Sequence, residues 1–111
     1  MIKITRGDTQ PLKWTRLDPD GHTITDAPDA MYLTVKRSWE DKTAVIQKKL
    51  ADMVQDESGA WHTIIAADET AALEYGTYVF DLEVTVQGAV TTICKDEIAI
   101  TREATWQANK S

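Results

Sequence analysis

Asp68-Glu69-Thr70-Ala71-Ala72-Leu73-Glu74-Tyr75-Gly76-Thr77-Tyr78-Val79-Phe80-Asp81-Leu82-Glu83-Val84-Thr85-Val86 changes character at Gly76. Before the glycine, Ala, Leu and Glu predominate, residues that lose little side-chain freedom in a helix, and Asp68 can accept a bond from a free amide at the start. After it, Tyr78, Phe80, Leu82, Val84 and Val86 alternate with Val79, Asp81, Glu83, Thr85 and Gln87. A period of two with polar residues on one side marks an antiparallel strand covered on one face, since a parallel strand buried under helices is apolar on both. The stretch predicts one short helix near residues 68–75, ending at Gly76, and then one strand of a two-sheet sandwich.

The same period recurs on both sides of it. Upstream, Ile2 and Ile4 mark a first strand, and Arg6-Gly7-Asp8 is a turn into a second strand in which Gln10, Leu12, Trp14 and Arg16 share a face. Pro11 has no amide proton, so this strand belongs on a sheet edge. Asp18-Pro19-Asp20-Gly21 is a turn, with Pro pre-set for its second position and Gly free to take positive φ. Met31, Leu33 and Val35 then point inward, with Tyr32, Thr34 and Lys36 outward, and a polar loop at Ser38-Trp39-Glu40-Asp41-Lys42 follows. Ala44, Ile46, Lys48 and Leu50 resume the alternation, residues 52–59 read as an acidic loop, and Trp61–Ile65 is the next strand. Downstream, Val86-Gln87-Gly88-Ala89-Val90 is a hairpin into a last strand, whose alternation is disturbed at Lys95-Asp96 as a bulge would disturb it.

Seven or eight short strands with turn signals at regular spacing and one brief helix predict an all-β, immunoglobulin-like antiparallel sandwich, without the cysteine pair of antibody domains. At 111 residues the chain suits one domain. The sandwich is expected to occupy residues 1–101, with 102–111 as a frayed tail or linker stub.

Composition narrows the function classes. Eighteen acidic against twelve basic residues leave a net charge of −6, which repels phosphate and anionic lipid, so neither nucleic acid nor membrane is an expected partner. No run approaches the roughly 20 apolar residues of a membrane span. The alternating Met1-Ile2-Lys3-Ile4-Thr5-Arg6 reads as a strand instead of a signal peptide, so synthesis in a cytoplasm is expected. The lone Cys94 shares an alternating segment with Val90 and Thr92 and is expected to be a small buried hydrophobe.

Several of these segments recur together, in order, in one family: Arg6-Gly7-Asp8-Thr9, the 18–21 turn, Met31-Tyr32-Leu33-Thr34-Val35-Lys36-Arg37, Ala44-Val45-Ile46-Gln47-Lys48-Lys49 and the stretch from Asp68 to Val84. From Ile4 to about Thr101 the chain resembles the immunoglobulin-like N-terminal domain of bacteriophage baseplate upper proteins and related phage and prophage structural proteins. The resemblance implies a virion component of the tail baseplate, made in the bacterial host cytoplasm, that contacts other phage structural proteins or copies of itself and performs no chemistry. The alternative from a different class is a carbohydrate- or receptor-binding sandwich module.

Arg6-Gly7-Asp8 matches an integrin-binding tripeptide but equally a turn. Asp18, Asp20 and Asp26 offer oxygens to calcium but lack the alternate ligands of a calcium loop, so no metal site is expected. His22 and His62 have no acidic partner at triad or ligand spacing. The carboxylate pairs Glu57 with Glu69 and Asp81 with Glu83 suggest a glycosidase arrangement, yet Asp81 and Glu83 fall on the solvent side of their strand. No nucleophile, base and oxyanion donor are linked, so neither catalytic residue nor cofactor is expected. Of the four tryptophans, Trp14 shares a face with Leu12 and belongs to the core, whereas Trp39 in a polar loop and Trp106 in the aperiodic tail are the expected protein-contact residues. A sheet edge at the first or second strand offers a further route to assembly.

Overall fold

The computed structural model describes residues 1–102. Eight strands form two sheets: β1 (Ile2–Thr5), β2 (Gln10–Trp14), β3 (Ala30–Lys36), β4 (Ile46–Lys49), β5 (Val54–Gln55), β6 (Trp61–Ile65), β7 (Gly76–Val86) and β8 (Ala89–Thr101). The larger sheet has the order β1-β8-β7-β3-β4 and the smaller β2-β6-β5. This is the immunoglobulin-like order, and every pairing is antiparallel except that of β1 with β8. β1 and β2 are both edge strands, and Pro11 sits on the edge its missing amide requires.

The alternation sorts side chains as the period demands. Tyr78, Phe80, Leu82 and Val84 of β7 and Met31, Leu33 and Val35 of β3 are buried between the sheets, where they meet Ile4, Ile46, Trp61, Ile65, Ile98 and Ile100. Val86, at the far end of the same β7 face, is 40% exposed. The turn into β8 is two residues long, with positive φ at both Gln87 and Gly88, the type I′ geometry whose twist matches the strands it joins.

The helix α1 (Ala67–Ala71) is shorter than expected, and its cap differs. Asp68 lies inside it; the capping carboxylate is Glu69, which accepts the Ala66 amide at 2.9 Å. The helix stops early because the carbonyls beyond it have better partners than the next turn. Leu73 O accepts Arg6 Nε at 2.9 Å, and Glu74 O accepts the Tyr78 hydroxyl at 2.8 Å. The latter is the tyrosine corner of immunoglobulin-like sandwiches. Gly76, with φ of 136°, opens β7 instead of ending the helix.

Three further expectations are corrected. Residues 52–59 are not loop throughout: a 3₁₀ turn over Leu50–Asp52 leads into β5, which pairs Val54 with His62 and Gln55 with Trp61. The bulge in β8 lies at Ile93, not at Lys95-Asp96, for Leu82 pairs with Cys94 and the next residue, Glu83, with Thr92. Cys94 is exposed, because no strand of the smaller sheet covers the first half of β8.

Candidate functional site

The two ends of the sandwich are finished differently. At one end the β1–β2 turn is fastened to α1. Thr70, fully buried, donates its hydroxyl to Asp8 O at 2.7 Å and accepts the Gly7 amide at 3.0 Å. The Arg6 guanidinium lies 5.5 Å from the centre of the Tyr75 ring. Arg6-Gly7-Asp8 is thus a structural turn whose arginine and backbone are already engaged, which is not how an adhesion loop presents its ends.

At the other end the β7–β8 hairpin runs past the smaller sheet. Residues 89–95 of β8 are exposed on both faces, while Ile98 and Ile100 of the same strand are buried. The hairpin's inner face and the end of β2 enclose an open apolar groove of about 550 Å³. Leu82, Val84, Val86, Thr91, Ile93 and Cys94 form one wall, and Trp14, Leu17 and Ile24 the other. The bulge is what lets both Ile93 and Cys94 reach it, since consecutive residues of a regular strand point to opposite faces. Surrounding atoms that exclude water, and then the Asp96 carboxylate, raise the pKa of the Cys94 thiol, which keeps it protonated and unreactive at neutral pH.

The wall on the β2 side continues as a hairpin, with Ile24 N donating to Arg16 O at 2.8 Å and Leu17 bridged to Thr23. Arg16 Nη1 donates to Asp26 O at 2.9 Å. Trp14 packs against the core as expected, and its indole N–H is buried with no acceptor among the described residues.

The remaining sequence candidates separate clearly. Trp39 is 49% exposed in the β3–β4 loop, with Lys95 Nζ 5.7 Å from its ring centre. Trp106 lies outside the described residues. Asp18 and Asp20 do converge, with His22 in place of Asp26, their ligand atoms lying within 4.8 Å of one another. Asp18 Oδ1 is already used, accepting the Asp20 and His22 amides at 2.9 Å, so the group holds a turn. Asp81 and Glu83 face the outer side of β7, on a shallow polar hollow with Tyr32, Thr34, Lys36 and Lys42. Glu69 has no partnership with Glu57. Burial opposes its charge, but Lys48 Nζ at 2.6 Å and the Ala66 amide outweigh that and hold its pKa below the usual value.

Sequence spacing missed one cluster. His62 Nε2 lies 2.7 Å from Asp56 Oδ2, and Ser58 Oγ donates to Asp56 Oδ1 at 2.6 Å. These bonds, together with those from the Ser58 and Ala60 amides, hold the Asp56 carboxyl far below its ordinary range. Serine, histidine and aspartate are present, but the carboxylate stands in the middle. The serine hydroxyl donates to it, whereas acyl transfer requires the histidine between the other two, accepting the serine's proton. The cluster instead closes the 56–60 turn onto β6. The six-residue step from Asp56 to His62 across a turn was the available signal.

Comparison with known proteins gives a fold likeness. No protein-family model matches the chain, and no curated protein does. Among solved structures, the endo-beta-1,4-mannanase from Thermotoga petrophila superposes with a TM-score of 0.63 at 12% identity, over 92% of this chain. The chain spans 18% of that protein's length, and at this identity what is shared is the sandwich alone.

Proposed function

We propose that the chain is a structural module of a phage or prophage tail baseplate, made in the host cytoplasm, carried in the virion, and acting by contacts with other proteins instead of by catalysis. The ordered recurrence of the Arg6–Thr9, 18–21, 31–37, 44–49 and 68–84 segments supports the family. The docking role rests chiefly on one observation, the apolar groove between β2 and the β7–β8 hairpin. Exposed contiguous apolar surface on a small domain marks an interaction site. The test is mass spectrometry of phage particles purified after induction of a strain carrying the gene, with immunogold labelling of the tail tip. The chain co-purifies with tail proteins in the expected outcome. Particles that contain the tail proteins but lack this chain overturn the reading.

A second reading, a carbohydrate-binding module, is favoured by Trp39, half exposed in the loop whose Lys42, Thr43 and Ala44 line the polar hollow with Asp81 and Glu83. An indole stacks on a sugar ring while carboxylates bond its hydroxyls. Titration with β-1,4-mannan oligosaccharides, chosen because the structural neighbour is a mannanase, then changes tryptophan fluorescence in the native chain and not in Trp39→Ala.

A further inference from the structure

The outer edge of β8 is half used. β1 pairs with residues 98–101 only, and the Met1 ammonium reaches Asp96, so among the described residues no strand borders 89–95, whose outward backbone groups have no ladder partner. The opposite wall of the groove is also an edge, β2, which pairs with β6 alone. An extended segment continuing the row of β1 along β8 would pair its backbone with the free edge and turn every second side chain into the groove, toward Leu17, Ile24, Val84 and Ile93.

Charge selects among occupants. Arg16 is the one charged side chain among those lining the groove, and no carboxylate lines it, in a chain whose net charge is −6. Of the acids just beyond, Asp18 is engaged by two amides of its own turn and Asp96 by the Glu97 amide and the N-terminal ammonium, while Glu97 is exposed on the opposite face of β8. A second copy presenting the same groove would set Arg16 against its own equal.

We propose that the groove binds an extended segment of a partner protein, apolar at alternate positions and acidic at the flank that meets Arg16, added as a strand along residues 89–95 of β8. This deepens the docking role above and rests on it. The Cys94 thiol and Thr91 hydroxyl leave room on the inner face for the partner's branched side chains.

The probe is a nine-residue peptide with valine at alternate positions, threonine between them and aspartate at both ends, titrated into the full chain and followed by amide NMR. Expected are saturable shifts at residues 89–95 and at the Trp14 indole N–H, slowed hydrogen exchange over 89–95, and loss of both in Ile93→Asp, an exposed position whose change leaves the fold intact by circular dichroism. Arg16→Glu weakens the acidic peptide about tenfold and tightens a lysine-flanked version by a similar factor. No shifts at about 1 mM peptide, a range in which contacts of even a few kcal/mol register, overturn the proposal. So does equal binding of the two peptides, or protection of 89–95 in the free chain, which at dimer mass assigns the groove to a second copy and at monomer mass to residues 103–111. The chain's presence in purified particles without peptide binding defeats this inference alone; peptide binding with absence from particles defeats the baseplate reading alone.

Discussion

The two halves of β8 make the instructive contrast. Residues 98–101 are paired on both sides, by β1 and β7, and send Ile98 and Ile100 into the core. Residues 89–97 are paired on one side only, and Ile93, on the inner face, is 41% exposed. Ile93 and Ile98 are the same residue type on the same face of one strand; what differs is whether a second sheet lies over them. Burial in a sandwich is therefore a property of the facing strand as much as of the strand itself.

The contrast is sharpened most by two substitutions of the same residue type in the same strand. Ile98→Ala removes a side chain that is 2% exposed and should cost about 2–4 kcal/mol of unfolding free energy in a urea titration. Ile93→Ala should stay within about 0.5 kcal/mol of the parent. Equal losses would show that the hairpin is covered in solution and would erase the distinction.

The closed end can next be opened from its own centre. Thr70→Val keeps the shape but strips the hydroxyl, stranding the Gly7 amide and the Asp8 carbonyl, at a cost of about 2 kcal/mol. Thermal unfolding monitored by circular dichroism measures it, and Thr70→Ser should recover most of the loss. A smaller effect is expected for Tyr78→Phe, which deletes the bond to Glu74 O and should lower stability by about 1 kcal/mol without altering the groove.

The smallest effect concerns acid. Because Asp56 titrates well below its unfolded range, its contribution is present above the unfolded carboxylate pKa of about 4 and disappears as pH falls through the folded value. Glu69 and Asp96, also depressed, act in the same direction. The fall in Tm between about pH 5 and pH 2 should be shallower in Asp56→Asn than in the parent, though not abolished. A steeper fall in the variant would contradict the sign.

What the sequence disclosed, and where it stopped, follow the same division between a strand and its neighbours. The β7 alternation, the Pro11 edge, the 18–21 turn and the type I′ hairpin are local patterns, and each is where the residues place it. The exposure of Cys94 was illegible because a period of two says which face a residue occupies and not whether anything lies above that face. The bounds of α1 depart from the local pattern at both ends for a related reason. Its cap comes from Glu69 rather than Asp68, and its early stop depends on Arg6 and Tyr78, one of them 67 residues away from its acceptor. The groove itself needed β2 and β8 brought side by side, which no single stretch records. Trp39 was legible as an exposed aromatic, but its neighbour Lys95 was not.

The bulge at Ile93 has a bearing on how such a module can vary. It separates β8 into two segments of opposite phase, odd-numbered residues facing inward before it and even-numbered ones after. A one-residue slip in a regular strand would exchange every inner side chain for an outer one as far as the core. Here the extra residue acts as an expansion joint: removal of Ile93 alone leaves every other pair of the hairpin in register, with Ile98 and Ile100 in place. The hairpin tip is thereby insulated from the part of the strand that keeps the domain folded.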